Sequence, residues 1–287
     1  MFSYFQAIVF GILQGVTELF PISSLGHSVV LPKILGWHIN QNAPFFLTFL
    51  VATHTATALV LLLFFWKDWK RIVIGVLRSL KDREIKETDY DAKLGWLLIA
   101  ATIPAGILGL LLEKPLKTLF ASPQLVAFVL ILNGLLLFAA EQLRKKNITS
   151  HKTAVGSDER IAKLTIVQAI KVGLLQCIAL IPGFSRTGAT ITGSLWVGLT
   201  HEDAARFSFL LATPIIAAAS LLKLPELVTS SEKIYTGQII AGAITAGLAA
   251  YFSVRFLTKY FETKKLTPFA IYCAVVGVLL SLLFLFR

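Results

Sequence analysis

Long apolar runs separated by short charged connections dominate this chain. Six of them, Phe45–Trp66, Leu94–Leu112, Leu125–Ala140, Ala204–Leu222, Ile239–Leu257 and Pro268–Phe286, approach the ~20 residues that a helix needs to cross ~30 Å of hydrocarbon. Two further apolar stretches, 1–36 and 165–200, are broken near their middles by Pro, Gly and Ser. They predict re-entrant hairpins, each a half-helix in, a polar tip and a half-helix out. Backbone that is not helical is tolerated at membrane depth only where protein or a wet cavity surrounds it. The expected fold class is an all-α integral membrane protein.

The two interrupted stretches resemble each other. Gly11 to His27 reads GILQGVTELFPISSLGH, and Gly173 to Ala189 reads GLLQCIALIPGFSRTGA. At one fixed offset Gly11 meets Gly173, Gln14 meets Gln176, Ser23 meets Ser185 and Gly26 meets Gly188. The match continues into the spans, where Phe49–Thr53 pairs with Phe209–Thr213 and Ile99–Gly106 with Ile240–Gly247. A single membrane domain, 1–287, therefore reads as two repeats, 1–145 and 160–287, each one hairpin plus three spans. An odd number of crossings per half makes the repeats inverted, and such folds gather broken helices near the midplane.

Composition agrees. Of 287 residues 56% are hydrophobic and 15% charged, whereas soluble domains are about a quarter charged. The net charge of +11 sits in the connections Lys67–Lys93, Arg144–Lys163 and Arg255–Lys265. The connections Lys33–Asn42, Glu113–Pro123 and Lys223–Lys233 carry few charges. The positive-inside rule puts the first three in the cytoplasm and the others outside. Topology thus explains the charge without a nucleic-acid partner. Phe5–Phe20 has no basic leader or small-residue cleavage site and is kept in the mature fold. Cys177 and Cys273 lie in apolar runs and read as small buried hydrophobes.

Into these apolar surroundings the two tips place Glu18, His27 and Arg186. Each costs roughly 2.5–3.5 kcal/mol at membrane depth and is a functional-site hypothesis by default. In the second tip, Pro182–Thr190, Gly183 and Gly188 permit a tight turn and close backbone approach to a ligand. Ser185, Thr187 and Thr190 offer hydroxyls, the following helix offers free N–H groups, and Arg186 offers a planar fork for phosphate oxygens. In the first tip, Gln14 and Glu18 are four apart on one helical face, which suits joint ligation of Mg²⁺ or Ca²⁺ beside a phosphate; the alternative is that Glu18 bonds the opposing tip or pairs with Arg186. Ser24 and His27 are candidates for nucleophilic attack and proton transfer. His54 borders the site or bonds a neighbouring helix. Thr200 with Asp203 is a capping box, which leaves His201 as an exposed loop residue.

These motifs together resemble the undecaprenyl-diphosphate phosphatase family of the bacitracin-resistance type, over nearly the whole chain. The first motif is Gln14, Glu18 and the turn Pro21–His27; the second is Pro182–Thr190, with Thr187 where the family's pattern has a second serine. Gln14 stands where many members have Glu, which weakens a metal site built on two carboxylates.

The resemblance implies removal of the terminal phosphate from a C55-isoprenyl diphosphate lipid, recycling the carrier for peptidoglycan synthesis and conferring bacitracin resistance. It implies dependence on Mg²⁺ or Ca²⁺ and residence in the bacterial plasma (inner) membrane, and it is compatible with a homodimer. Carried over by position, Glu18, Ser24, His27 and Arg186 form the catalytic group. Ser23, Gly183, Ser185, Thr187, Gly188 and Thr190 join Arg186 around the phosphate. Ser24, His27 and water all remain open as the nucleophile. Inverted repeats are also transporter architecture, so a flippase of a phosphorylated polyprenyl lipid is the alternative. The short, nearly uncharged connection after Gly36 predicts a pocket open to the external face.

Overall fold

The computed structural model describes residues 2–41, 43–112, 122–147, 156–229 and 235–286. Within them the chain forms helices and no strands. In order these are α1 (Tyr4–Thr17), α2 (Ser24–Leu35), α3 (Pro44–Phe64), α4 (Trp66–Asp82), α5 (Tyr90–Leu111) and α6 (Pro123–Asn147). They continue with α7 (Ser157–Ala162), α8 (Ile166–Gln176), α9 (Arg186–Trp196), α10 (His201–Thr229), α11 (Thr236–Phe261) and α12 (Thr267–Leu285). The predicted connection Glu113–Pro123 falls largely outside the described residues, whereas in Lys223–Lys233 the helix α10 runs on to Thr229 and only 230–233 lie outside them.

Six helices are long and apolar enough to cross a membrane: α3, α5, α6, α10, α11 and α12. Each contains one of the six runs read from the sequence or overlaps it to within a turn. Their outward faces carry exposed Leu59, Leu63, Ile103, Leu135, Ile244 and Leu279, as expected of a surface solvated by lipid tails. This is a multi-pass membrane protein. The interrupted stretches form α1 with α2 and α8 with α9. At 1.5 Å per residue the 14 residues of α1 extend about 21 Å, short of the hydrocarbon thickness.

Hydrocarbon provides no hydrophobic drive between helices, so close approach at small residues has to hold them together. One such contact repeats across the chain. A Cβ on Gly11 of α1 would lie 2.4 Å from the carbonyl oxygen of Gly242 on α11. A Cβ on Gly173 of α8 would lie 2.2 Å from that of Ala101 on α5. Gly11 and Gly173 are matched positions in the sequence, and so are Ala101 and Gly242.

Two expectations change. The basic stretch Lys67–Lys93 is not all loop: residues 66–82 form α4. Ile72, Gly75 and Ser79 are its buried stripe, at the helical spacing, and Trp96 of α5 donates to Ser79 Oγ at 2.9 Å. The high charge of this segment hid that period. Ion pairs fasten α4 to its neighbours, because Arg71 reaches Asp158 of α7 at 2.8 Å and Arg206 of α10 reaches Asp68 at 3.1 Å. His201, expected to be exposed, is 5% exposed, with Nε2 2.6 Å from Glu141 Oε1. Thr200 and Asp203 do form the predicted cap, Asp203 N donating to Thr200 Oγ1 at 3.2 Å.

Candidate active site

The two tips lie against each other in the interior. Pro21 follows α1, Pro182 and Gly183 follow the 3₁₀ turn Cys177–Leu180, and serine caps the next helix each time. Ser23 Oγ accepts from Gly26 N at 3.2 Å, and its sequence match Ser185 Oγ accepts from Gly188 N at 3.1 Å. Ser23 adopts φ 70°, a costly value for a non-glycine residue and one that clusters at functional sites. Thr187 Oγ1 donates to the Glu18 carbonyl at 2.9 Å, which joins tip to tip.

Asn133 of α6, fully buried, clamps both tips with one side chain. Its Nδ2 donates to the Pro21 carbonyl at 3.0 Å, and its Oδ1 accepts from Ser185 N at 3.0 Å.

Glu18 is the hub. Arg186 Nη2 donates to Oε1 at 2.8 Å. Oε2 receives Ser24 Oγ at 2.6 Å and Gln14 Nε2 at 3.0 Å, and His54 Nε2 stands 3.3 Å away. Two polar atoms beside this hub are buried without a partner, Arg186 Nη1 and Gln14 Oε1. A cavity of about 520 Å³ opens over Glu18, Ser24, Arg186 and His54, with Ser23 and Ser185 in its wall. Thr17, Gln41 and Ser220 also reach the wall, and the rest is apolar, including Phe46 and Leu50 from α3 and Ile215 and Ile216 from α10.

Several expected site residues take other places. His27 does not line the cavity: Nδ1 lies 2.6 Å from the Ser23 carbonyl, and Nε2 lies 2.9 Å from the Tyr272 hydroxyl. It follows Ser24 by three positions, but the turn aims it at α12 instead. Gly183 has φ 107°, and a Cβ there would lie 2.7 Å from Val129 Cβ, so its smallness serves the turn and α6 packing. Gly188 packs beside Leu137. Thr190 donates to the Arg186 carbonyl at 3.0 Å and meets Ser208. Thr187 and Thr190 thus spend their hydroxyls inside the protein rather than on the cavity.

The Gln14–Glu18 pair does not fit a resident divalent cation. The carboxylate already faces four donors, one of them a guanidinium. Gln14 Oε1 is the one uncommitted side-chain oxygen of the pair. Among the described residues no three His, Cys, Asp or Glu side chains come together as a metal cluster. Mg²⁺ and Ca²⁺ need about six or more oxygens.

Residues 7–279 match the family described as bacitracin resistance protein BacA. The chain belongs to this family. A protein of Mycolicibacterium paratuberculosis named undecaprenyl-diphosphatase is 47% identical over 292 residues, 96% of this chain and 95% of its own. One of Chromobacterium violaceum, named undecaprenyl-diphosphatase 2, is 46% identical over 277 residues, 95% of this chain and 96% of its own.

For this BacA-family chain, sequence reasoning missed Asn133 altogether. A lone Asn within an apolar span was the available signal, since a polar side chain there has to find partners.

Proposed function

We propose that this chain hydrolyses undecaprenyl diphosphate to undecaprenyl phosphate and inorganic phosphate in the bacterial plasma membrane. That activity recycles the lipid carrier of cell-wall synthesis and confers resistance to bacitracin. The observation that carries the proposal is the Ser24 hydroxyl donating to Glu18 Oε2 at 2.6 Å beside the unpartnered Nη1 of Arg186. The names of the relatives agree with it.

The chemistry follows from the contacts. Ser24 Oγ attacks the terminal phosphorus while Glu18 Oε2 takes its proton. The bond from that phosphorus to the bridging oxygen breaks, and undecaprenyl phosphate leaves with the bond's electron pair. Water then attacks the phosphoserine and releases inorganic phosphate, regenerating Ser24. Arg186 Nη1, buried without a partner beside the cavity, binds a phosphoryl oxygen as charge shifts. A preorganised donor of this kind costs no reorganisation during reaction. His27 is left to hold α2 against α12. The apolar wall between α3 and α10 receives the first isoprene units.

The divalent cation belongs with the diphosphate in this scheme, since the substrate supplies oxygens that the protein lacks.

The same reading makes the halves inverted repeats and α1–α2 and α8–α9 re-entrant hairpins. The repeated contacts of Gly11 with Gly242 and Gly173 with Ala101 support it, as do the short hairpin helices. The cavity runs along the first half of α3, from Phe46 to His54, away from basic α4. His54 lies ten residues into α3, or about 15 Å, half the hydrocarbon thickness. The pocket therefore opens to the external face. In Ser24→Cys, with Cys177 and Cys273 replaced by serine, a membrane-impermeant thiol reagent should label intact cells. Labelling only after the inner face is exposed reverses the orientation.

Phosphate release from C55-isoprenyl diphosphate by purified protein tests the activity. Relocation of intact diphosphate across sealed vesicles, without phosphate release, would make the chain a flippase instead.

A further inference from the structure

His54 has no part in the scheme above, although it faces the same cavity. It is held firmly. Nδ1 lies 2.8 Å from the Leu50 carbonyl one turn back on α3, and Nε2 lies 3.3 Å from Glu18 Oε2. Both partners are acceptors, so both ring nitrogens stand as donors. The side chain is 26% exposed, against 6% for Glu18 and 14% for Arg186, the most exposed of these three cavity-lining residues.

The contact with Glu18 is also the longest of the four made there. One carboxylate oxygen has about two lone-pair sites, yet Oε2 faces three donors. Ser24 and Gln14 approach to 2.6 and 3.0 Å, while His54 stays at 3.3 Å. His54 is the surplus donor. It can leave Glu18 without stripping the carboxylate, and Leu50 keeps the ring aimed inward as it does so.

The cavity needs such a donor. A diphosphate brings several negative charges beside Glu18, and phosphoryl transfer relies on neutralising them. Arg186 is the only Lys or Arg in the cavity wall among the described residues, and one of its nitrogens is spent on Glu18.

From this geometry we infer that His54 is a second phosphate-binding residue, resting on Glu18 in the empty site and donating Nε2–H to the diphosphate when substrate enters. The inference rests on the phosphatase reading.

Steady-state kinetics on the purified full chain with C55-isoprenyl diphosphate test it. A hydrogen bond to a charged group contributes about 1.5–3 kcal/mol, so His54→Leu should raise KM by about 10–100-fold. Its kcat should fall much less than KM rises. His54→Gln keeps a donor of similar reach and should recover most of the KM. Inhibition by methylenediphosphonate, a soluble uncleavable diphosphate, should weaken in parallel. If His54→Leu does not purify folded, His54→Asn replaces it, because the shorter amide stays polar but falls short of the phosphate. A KM within about three-fold of wild type, a loss confined to kcat, or no rescue by Gln overturns the assignment. Absence of phosphate release by the wild-type protein defeats the phosphatase reading itself, a separate result.

Discussion

Arg186 donates to Glu18 Oε1 at 2.8 Å across 168 residues of sequence. The pair joins the two tips into one electrostatic unit and leaves Nη1 of the same guanidinium buried without a partner. Arg186→Lys keeps the charge but loses the second nitrogen of the fork. Phosphate release should fall by about 10²–10³-fold, the usual loss on removing one preorganised donor, and nearly as far as in Arg186→Ala. Near-normal turnover in the Lys variant would show that charge alone suffices.

Ser24 and His27 are three residues apart and should behave very differently. Ser24→Ala removes the attacking oxygen, and activity should drop by at least about 10³-fold. His27→Ala loses contacts to Tyr272 and Ser23 outside the cavity. It should keep kcat within about ten-fold and register mainly as a lower melting temperature, by about 2–4 °C. Trapping a 32P-labelled phosphoprotein in wild type but not in Ser24→Ala checks the nucleophile directly.

Asn133→Leu should uncouple the tips. It orphans the Pro21 carbonyl and the Ser185 amide, and a buried group left unpaired costs about 1–3 kcal/mol. Thermal unfolding in detergent should show the loss, together with reduced activity although Asn133 does not line the cavity. Unchanged stability would mean that the clamp is dispensable.

Equilibrium dialysis with ⁴⁵Ca²⁺ should detect no stoichiometric binding by the protein alone. Binding should appear once methylenediphosphonate is present. Tight binding to the free protein that disappears in Glu18→Gln would restore Gln14 and Glu18 as resident ligands.

Asp158 carries the pH dependence of the membrane-distal ion pairs. Burial raises its carboxyl, but Arg206 and Arg71 outweigh that and hold it below the ordinary value of about 3.9. A carboxyl lowered on folding contributes stability above its unfolded pKa and loses it as pH falls through the folded value. Asp158→Asn should therefore melt about 2–4 °C lower near neutral pH, and the gap should close below about pH 4. A gap that persists at lower pH would exclude the ion pairs as its cause.

Glu18, Ser24 and Arg186 could be picked out from one dimension because an ionisable or strongly polar group in a run of hydrocarbon residues has to be compensated by function or partner. The spans were equally plain, since their length follows from bilayer thickness. α4 escaped notice because its buried stripe of Ile72, Gly75 and Ser79 is thin and its charges resemble a loop. What one dimension could not supply is direction. Ser24 and His27 both follow the first turn, but only the φ of 70° at Ser23 and the packing of α2 on α6 send one to Glu18 and the other to Tyr272. Thr187 and Thr190 offered hydroxyls that the tip-to-tip contact consumed. Asn133 and His54 entered the site on helices distant in sequence. Composition and periodicity determined that polar residues interrupt two otherwise apolar stretches of a helical membrane protein. Tertiary packing decided which of its atoms face the cavity, because a side chain's partner depends on which helix lies beside it.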